Sequence, residues 1–103
     1  MGSVSGGFMS FMQESGGAGK SYMEWVSAMA ETSALDEKTR ELAYLSVLAA
    51  VRLTGGLPFH VASAKKAGAT RDEVKSAILV GMPAAGLAVI EAFDIALTSY
   101  DEA

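Results

Sequence analysis

A chain of 103 residues suffices for one small domain, which excludes any function needing a cleft between two domains. Eight Lys+Arg against twelve Asp+Glu leave a net charge of −4, the wrong sign for gripping a phosphate backbone, so nucleic acid is not an expected partner. Cysteine is absent, which removes disulfides, zinc–thiolate sites, iron–sulfur clusters and cysteine nucleophiles from this chain.

Half the residues are apolar and only 19% are charged, a lean polar complement for so small a chain. That balance predicts burial against further copies of itself. The longest uncharged run, residues 76–90, is interrupted by Gly81-Met82-Pro83 and falls short of the roughly twenty residues that a membrane-crossing helix needs. No membrane association is expected. The first basic residue is Lys20, behind a Gly/Ser-rich start, so no secretion signal is read and a cytoplasmic location is the expectation.

Along the chain, Phe8, Met9, Phe11 and Met12 form a first apolar cluster fit for one or two helical turns. Ser15-Gly16-Gly17-Ala18-Gly19-Lys20-Ser21 resembles a phosphate loop only superficially: the position needing the first glycine holds Glu14, and no strand precedes it. A flexible link between helices is predicted there. Tyr22, Val26 and Met29 recur at helical spacing, with Trp25 beside them assigned to the core. Asp36 then offers an N-cap to a long helix running to about Leu53 and stopped by Gly55-Gly56.

Pro58 suits the first turn of the next helix, and Gly68 suits a left-handed end to it. Thr70-Arg71-Asp72-Glu73 reads as a capping box starting another helix, with Val74, Ala77, Ile78 and Gly81 facing inward. A last helix is expected from Pro83 to about Ser99, apolar over so much of its surface that contact on two sides is implied. Nothing alternates with period two. The fold class is therefore all-α, a compact subunit of five to six helices, with residues 1–34 as an N-terminal helical segment and 35–103 as the helical core of one domain.

Acid–base chemistry has few carriers here. The single histidine, His60, shares a helix face with Ser63, Ala64 and Ala67, small side chains that let a neighbouring helix approach. It is either a structural histidine bonded to a backbone carbonyl or a proton-transfer group. Glu41 shares a stripe with Tyr44, Leu45, Leu48 and Arg52. It also follows Glu37 by four residues, a like-charge spacing that surface pairing explains poorly despite Lys38 nearby. Either it reaches solvent or it is a carboxylate held on a largely apolar face, where it can exchange a proton. The helix–Gly-Gly–helix connection makes contact between Glu41 and His60 feasible. One histidine and scattered carboxylates give no convergent ligand spacing, so no metal and no other cofactor is expected.

The stretch 35–42, Leu-Asp-Glu-Lys-Thr-Arg-Glu-Leu, the apolar run to Val51, His60, and 67–74, Ala-Gly-Ala-Thr-Arg-Asp-Glu-Val, together resemble the carboxymuconolactone decarboxylase family, which includes the alkylhydroperoxidase D-like proteins. The resemblance spans roughly residues 35–98. The family's redox branch carries Glu, eleven residues, Cys-x-x-Cys, three residues, His; Glu41 and His60 fall in that register, with Leu53 and Gly56 at the cysteine positions. The resemblance implies an all-helical subunit assembled into homotrimers or homohexamers, with a site near subunit contacts. Thiol-dependent peroxide reduction is not expected, since neither Leu53 nor Gly56 can supply a thiolate.

Two functions follow from it. One is a cofactor-independent lyase of the decarboxylase type acting on a small carboxylated lactone or related anion, with Glu41 and His60 catalytic and Arg52 and Tyr44 contacting substrate. Residues 36–73 hold six basic and five acidic side chains against the overall acidic excess, which favours an anion. In the decarboxylase branch acidic residues tend to precede the histidine, where this chain has Gly55-Gly56. The other function is a non-catalytic oligomeric module that has lost its chemistry with its thiols.

Overall fold

A computed structural model describes residues 4–103; residues 1–3 of the predicted N-terminal segment lie outside the described residues. Among the described residues there are six helices of nine residues or more and no strand. They are α1 (Gly6–Glu14), α2 (Gly17–Thr32), α3 (Glu37–Ala50), α4 (Leu57–Lys66), α5 (Arg71–Leu79) and α7 (Glu91–Glu102), with a single turn α6 (Met82–Ala85) before the last. None is long and apolar enough to cross a membrane.

Helix starts follow local chemistry closely. The Asp36 carboxylate accepts from the Thr39 N–H at 2.8 Å, and the same bond, with the positive charges of Lys38 and Arg40, holds its carboxyl below the usual range. At α5 the capping box is complete: the Glu73 N–H donates to Thr70 Oγ1 at 3.0 Å, and the Thr70 N–H donates to Glu73 Oε1 at 2.8 Å. Pro58 occupies the first turn of α4, where its missing N–H costs nothing.

Helix ends differ from expectation. α3 stops at Ala50, three residues early, because the Leu53 N–H donates to Leu48 O at 2.9 Å and the Arg52 N–H to Ala49 O at 3.3 Å. This is a Schellman closure with Arg52 at φ +63° in the left-handed position usually filled by glycine. α4 ends in the same way but with the expected residue: Gly68 has φ +101°, and the Ala69 N–H donates to Ala64 O at 2.9 Å. The predicted single last helix is split. Gly86, at φ +86° and ψ −174°, breaks the chain after α6, and a 3₁₀ turn (Leu87–Ile90) intervenes before α7.

The continuous core runs from Leu45 to Ala96, so α3, α4, α5 and α7 supply it together with Ala69 of the α4–α5 link and Val89 of the 3₁₀ turn. Leu45, Leu48, Leu57, Val61, Val74 and Ile78 are buried at its centre. Polar bonds stitch the same helices: Ser46 Oγ on α3 donates to Ala77 O on α5 at 2.7 Å, and Tyr100 Oη on α7 donates to Ala69 O at 2.9 Å. Lys38 Nζ reaches Glu73 at 2.8 Å, and Arg71 grips Asp101 with two bonds of 2.8 and 3.0 Å.

The N-terminal hairpin α1–α2 stands largely outside this core. No residue of α1 is buried, and α2 buries only Gly19. The predicted flexible link proves short, because Gly17 onward is already helical. Gly19 lies inside α2 because α1 comes close, its N–H donating to Ser15 Oγ at 2.9 Å; a Cβ there would meet that same Oγ. Trp25, assigned to the core from its spacing, is instead 59% exposed on α2.

Two tests follow from this packing. A Cβ on Gly68 would meet no atom within 4 Å, so Gly68→Ala isolates the cost of the left-handed backbone. Urea unfolding is expected to show a loss of about 1 kcal/mol, with an unchanged m-value. The carboxyls of Asp36, Glu73 and Asp101 are all lowered, by hydrogen bonds to Thr39, Lys38 and Arg71 respectively. A lowered folded pKa gives stability that is present above the unfolded carboxylate range and lost as pH falls through the folded values. The melting temperature should fall on that acid limb, and Glu73→Gln should make the limb shallower.

Candidate functional site

The pair proposed from sequence meets in the structure. Glu41 sits in the second turn of α3, and His60 closes the first turn of α4. The Schellman closure at Arg52 and a 3₁₀ turn (Thr54–Gly56) reverse the chain, and buried Leu48, Leu57 and Val61 seal the inside of the reversal. His60 Nδ1 and Glu41 Oε2 are 2.9 Å apart. An ionised carboxylate only accepts, so Nδ1 carries the hydrogen and donates it. The bond thereby fixes the tautomer: in the neutral ring, Nε2 holds the lone pair.

Both side chains are largely withdrawn from solvent, with 16% of Glu41 and 28% of His60 exposed. His60 Nε2 has no hydrogen-bond partner among the described residues, yet no buried side-chain nitrogen or oxygen there is left unpaired. Nε2 therefore opens onto accessible space. Lys38, the neighbour expected to relieve the Glu37–Glu41 spacing, is committed to Glu73 on α5. Glu41 consequently has His60 as its partner.

Aromatic rings frame the imidazole. Tyr44 lies with its centroid 4.5 Å from His60 at 59°, and Phe59 meets it edge-on at 5.2 Å. Tyr44 is 40% exposed; its partial burial pushes the phenol above its ordinary pKa of 10, and the neighbouring Tyr22 and Glu41 push in the same direction. Tyr22 belongs to an aromatic cluster on the hairpin, with Phe8 and Phe11 at centroid distances of 5.9 to 6.4 Å. The hairpin is moored near the site because Ser5, the N-cap of α1, abuts Gly55: a Cβ on that glycine would lie 3.2 Å from Ser5 Cβ.

Of the four residues nominated from sequence, the structure brings together Glu41, Tyr44 and His60. Arg52 stands apart: it is exposed, lies beyond the end of α3, and makes no ion pair or side-chain hydrogen bond among the described residues. Eleven residues separate it from Glu41, on the order of 15 Å of helix axis. Phe59 was not singled out from sequence, although its place beside the only histidine is a signal for it. Tyr22 carried no such signal, since its approach to Tyr44 depends on how the hairpin docks.

A shallow open groove of about 660 Å³ runs along α1 and α2, lined by Met12, Lys20, Met23 and Glu24 among others, and includes none of the four nominees. No group of three or more metal-ligating side chains gathers among the described residues.

These features define an all-helical protein with a carboxylate–imidazole pair between consecutive antiparallel helices and no thiol beside it. The chain belongs to the carboxymuconolactone decarboxylase family, whose model matches residues 17–98, so that α2 falls within the family region as well as the core helices. Its fold is similar to the crystal structure of a carboxymuconolactone decarboxylase family protein from Legionella pneumophila in its apo form, at a TM-score of 0.78 and 24% identity. The likeness covers 91% of this chain and 84% of that one. A search of curated proteins finds no match.

The raised Tyr44 phenol gives a direct check. In a tyrosinate absorbance titration, Tyr44→Phe is expected to remove amplitude from the high-pH end of the curve. Loss of amplitude at the low-pH end instead would contradict the burial described here.

Proposed function

We propose that this chain is a cofactor-independent enzyme of the carboxymuconolactone decarboxylase family that moves a proton to or from carbon in a small carboxylated lactone or related anion. The observation that carries the reading is the 2.9 Å bond from His60 Nδ1 to Glu41, with Nε2 unpartnered and reachable. A neutral imidazole held in this tautomer is a base at Nε2. After it takes a proton, the Glu41 carboxylate stabilises the imidazolium formed.

In the decarboxylase direction, the bond from the ring carbon to the carboxylate breaks, carbon dioxide leaves, and the electron pair stays on the ring. His60 Nε2 first takes a proton from the substrate or from water, the imidazolium so formed being held against the Glu41 carboxylate, and then delivers that proton to the carbon, which returns the ring to its neutral tautomer. Tyr44, packed on the imidazole, is the neighbouring hydroxyl for a substrate oxygen and a wall for a flat ring. Thiol-dependent peroxidase chemistry has no carrier in this sequence.

A second reading is a non-catalytic module that assembles with itself, as a trimer or hexamer. The supporting observation is the amount of apolar side chain left open: Trp25, Met29, Val47, Val51, Val80 and Leu87 are each more than half exposed. The two readings separate by substitution. For the enzyme, His60→Ala should lower turnover of a carboxylated lactone by about a hundredfold or more, and Glu41→Gln should lower it with the oligomer intact. For the module, the same variants should weaken assembly or melting temperature while no lactone is turned over by the native chain.

A further inference from the structure

The proposed reaction needs a group to hold the substrate's carboxylate, and the charges of this fold can be followed one by one. The chain has eight Lys and Arg side chains. Lys20 pairs with Glu24, Lys38 with Glu73, Arg71 with Asp101 and Lys75 with Asp72. Lys65 is spent on the carbonyls of Tyr100 and Ala103. Arg40, Arg52 and Lys66 remain without an ion pair among the described residues, and of these only Arg40 is half-buried. Arg40 is thus the one unpaired cation of the three that is partly screened from water.

Its position gives this meaning. Arg40 precedes Glu41 on α3 and lies one turn before Tyr44, at helical angles that put Tyr44 between Arg40 and Glu41. Helical side chains lean toward the N-terminus, which directs Tyr44 toward the turn that carries Arg40 and Glu41. Of the acids around it, Asp36 caps the helix at Thr39 and Glu41 is bonded to His60, while Glu37, three residues before Arg40, forms no ion pair with it. We propose that Arg40 is the carboxylate-binding residue of the Glu41–Tyr44–His60 site, selecting small flat carboxylates that rest against Tyr44 with the reacting carbon toward His60 Nε2. This rests on the reading of the pair as a working site and adds to it the group that recognises substrate.

Benzoate is a suitable probe, being flat, anionic and unreactive, and benzamide is its neutral control. Amide chemical shifts of the full chain are followed during titration with each. Benzoate is expected to give saturable shifts at residues 40–44 and 60, and benzamide is not. Arg40→Gln should weaken benzoate by about tenfold or more, in line with the loss of a charge-assisted bidentate contact. Arg40→Lys, which keeps the charge without the fork, should fall between the two, and Lys66→Gln should bind as the native chain does. Helical circular dichroism of each variant confirms that it is folded.

Absence of saturable shifts at residues 40–44 overturns the proposal, as does equal binding of benzamide. So does a loss of benzoate in Arg52→Gln that Arg40→Gln does not show. Turnover is scored separately: benzoate bound through Arg40 in a protein that turns over no lactone leaves the carboxylate site standing and removes only the enzymatic reading.

Discussion

The hydrogen bond between Glu41 and His60 joins two helices that the chain must first reverse, so the candidate site depends on the geometry of that reversal more than on either residue. Six residues, 51–56, turn the chain from α3 into α4. The turn works because the last carbonyls of α3 are satisfied by Arg52 and Leu53 rather than left open, and because Leu48 and Leu57 close over its inner side. A longer α3, as its apolar pattern suggested, would carry the chain further before reversal and shift His60 along α3 away from Glu41. Early termination and the 2.9 Å contact are thus one structural fact seen at two places.

What the sequence disclosed and what it hid divide by range. Starts of helices were legible because an N-cap acts within three or four residues: Asp36 with Thr39, and Thr70 with Glu73, are visible as letters before any folding. The end of α4 was legible for the same reason, since Gly68, with no Cβ, accepts φ +101° without penalty. The end of α3 was not, because it uses the same motif with arginine, and no local rule nominates Arg52 for a left-handed backbone. Gly86 concealed its break differently: a glycine inside an apolar run reads as tolerated until its φ of +86° is known.

Longer-range errors have a common source. Periodicity says which side of a helix is apolar but not whether anything lies against it. Trp25 and Met29 fit the stripe of a buried helix, yet α2 leaves both more than half exposed, since the hairpin meets the core near Gly55 and not along its length. The candidate site was legible to the extent that residues on α3 and α4 carry it, which is how Glu41, Tyr44 and His60 were found. Tyr22 arrives from the hairpin and Arg40 gains significance only when the partners of the other cations are assigned, so neither could be ranked from the chain alone.

The same reasoning bears on the missing thiols. Leu53 and Gly56 stand where the resemblance places the dithiol of the family's redox branch, and the packing around the two positions differs. A Cβ added to Gly56 would lie 3.2 Å from both terminal methyls of Leu48, a side chain that is almost wholly buried. The leucine occupies the space into which a side chain at position 56 would project, and it anchors the inner wall of the turn. Leu53, on the opposite side, is 59% exposed and touches the core little. A thiol at 53 would meet open space, whereas one at 56 would require the core to give way by a few tenths of an ångström in a region packed at the density of an organic crystal. The turn that carries His60 is thus closed on its inner side by Leu48 packed over a glycine, and a side chain at position 56 is admitted only if that leucine moves.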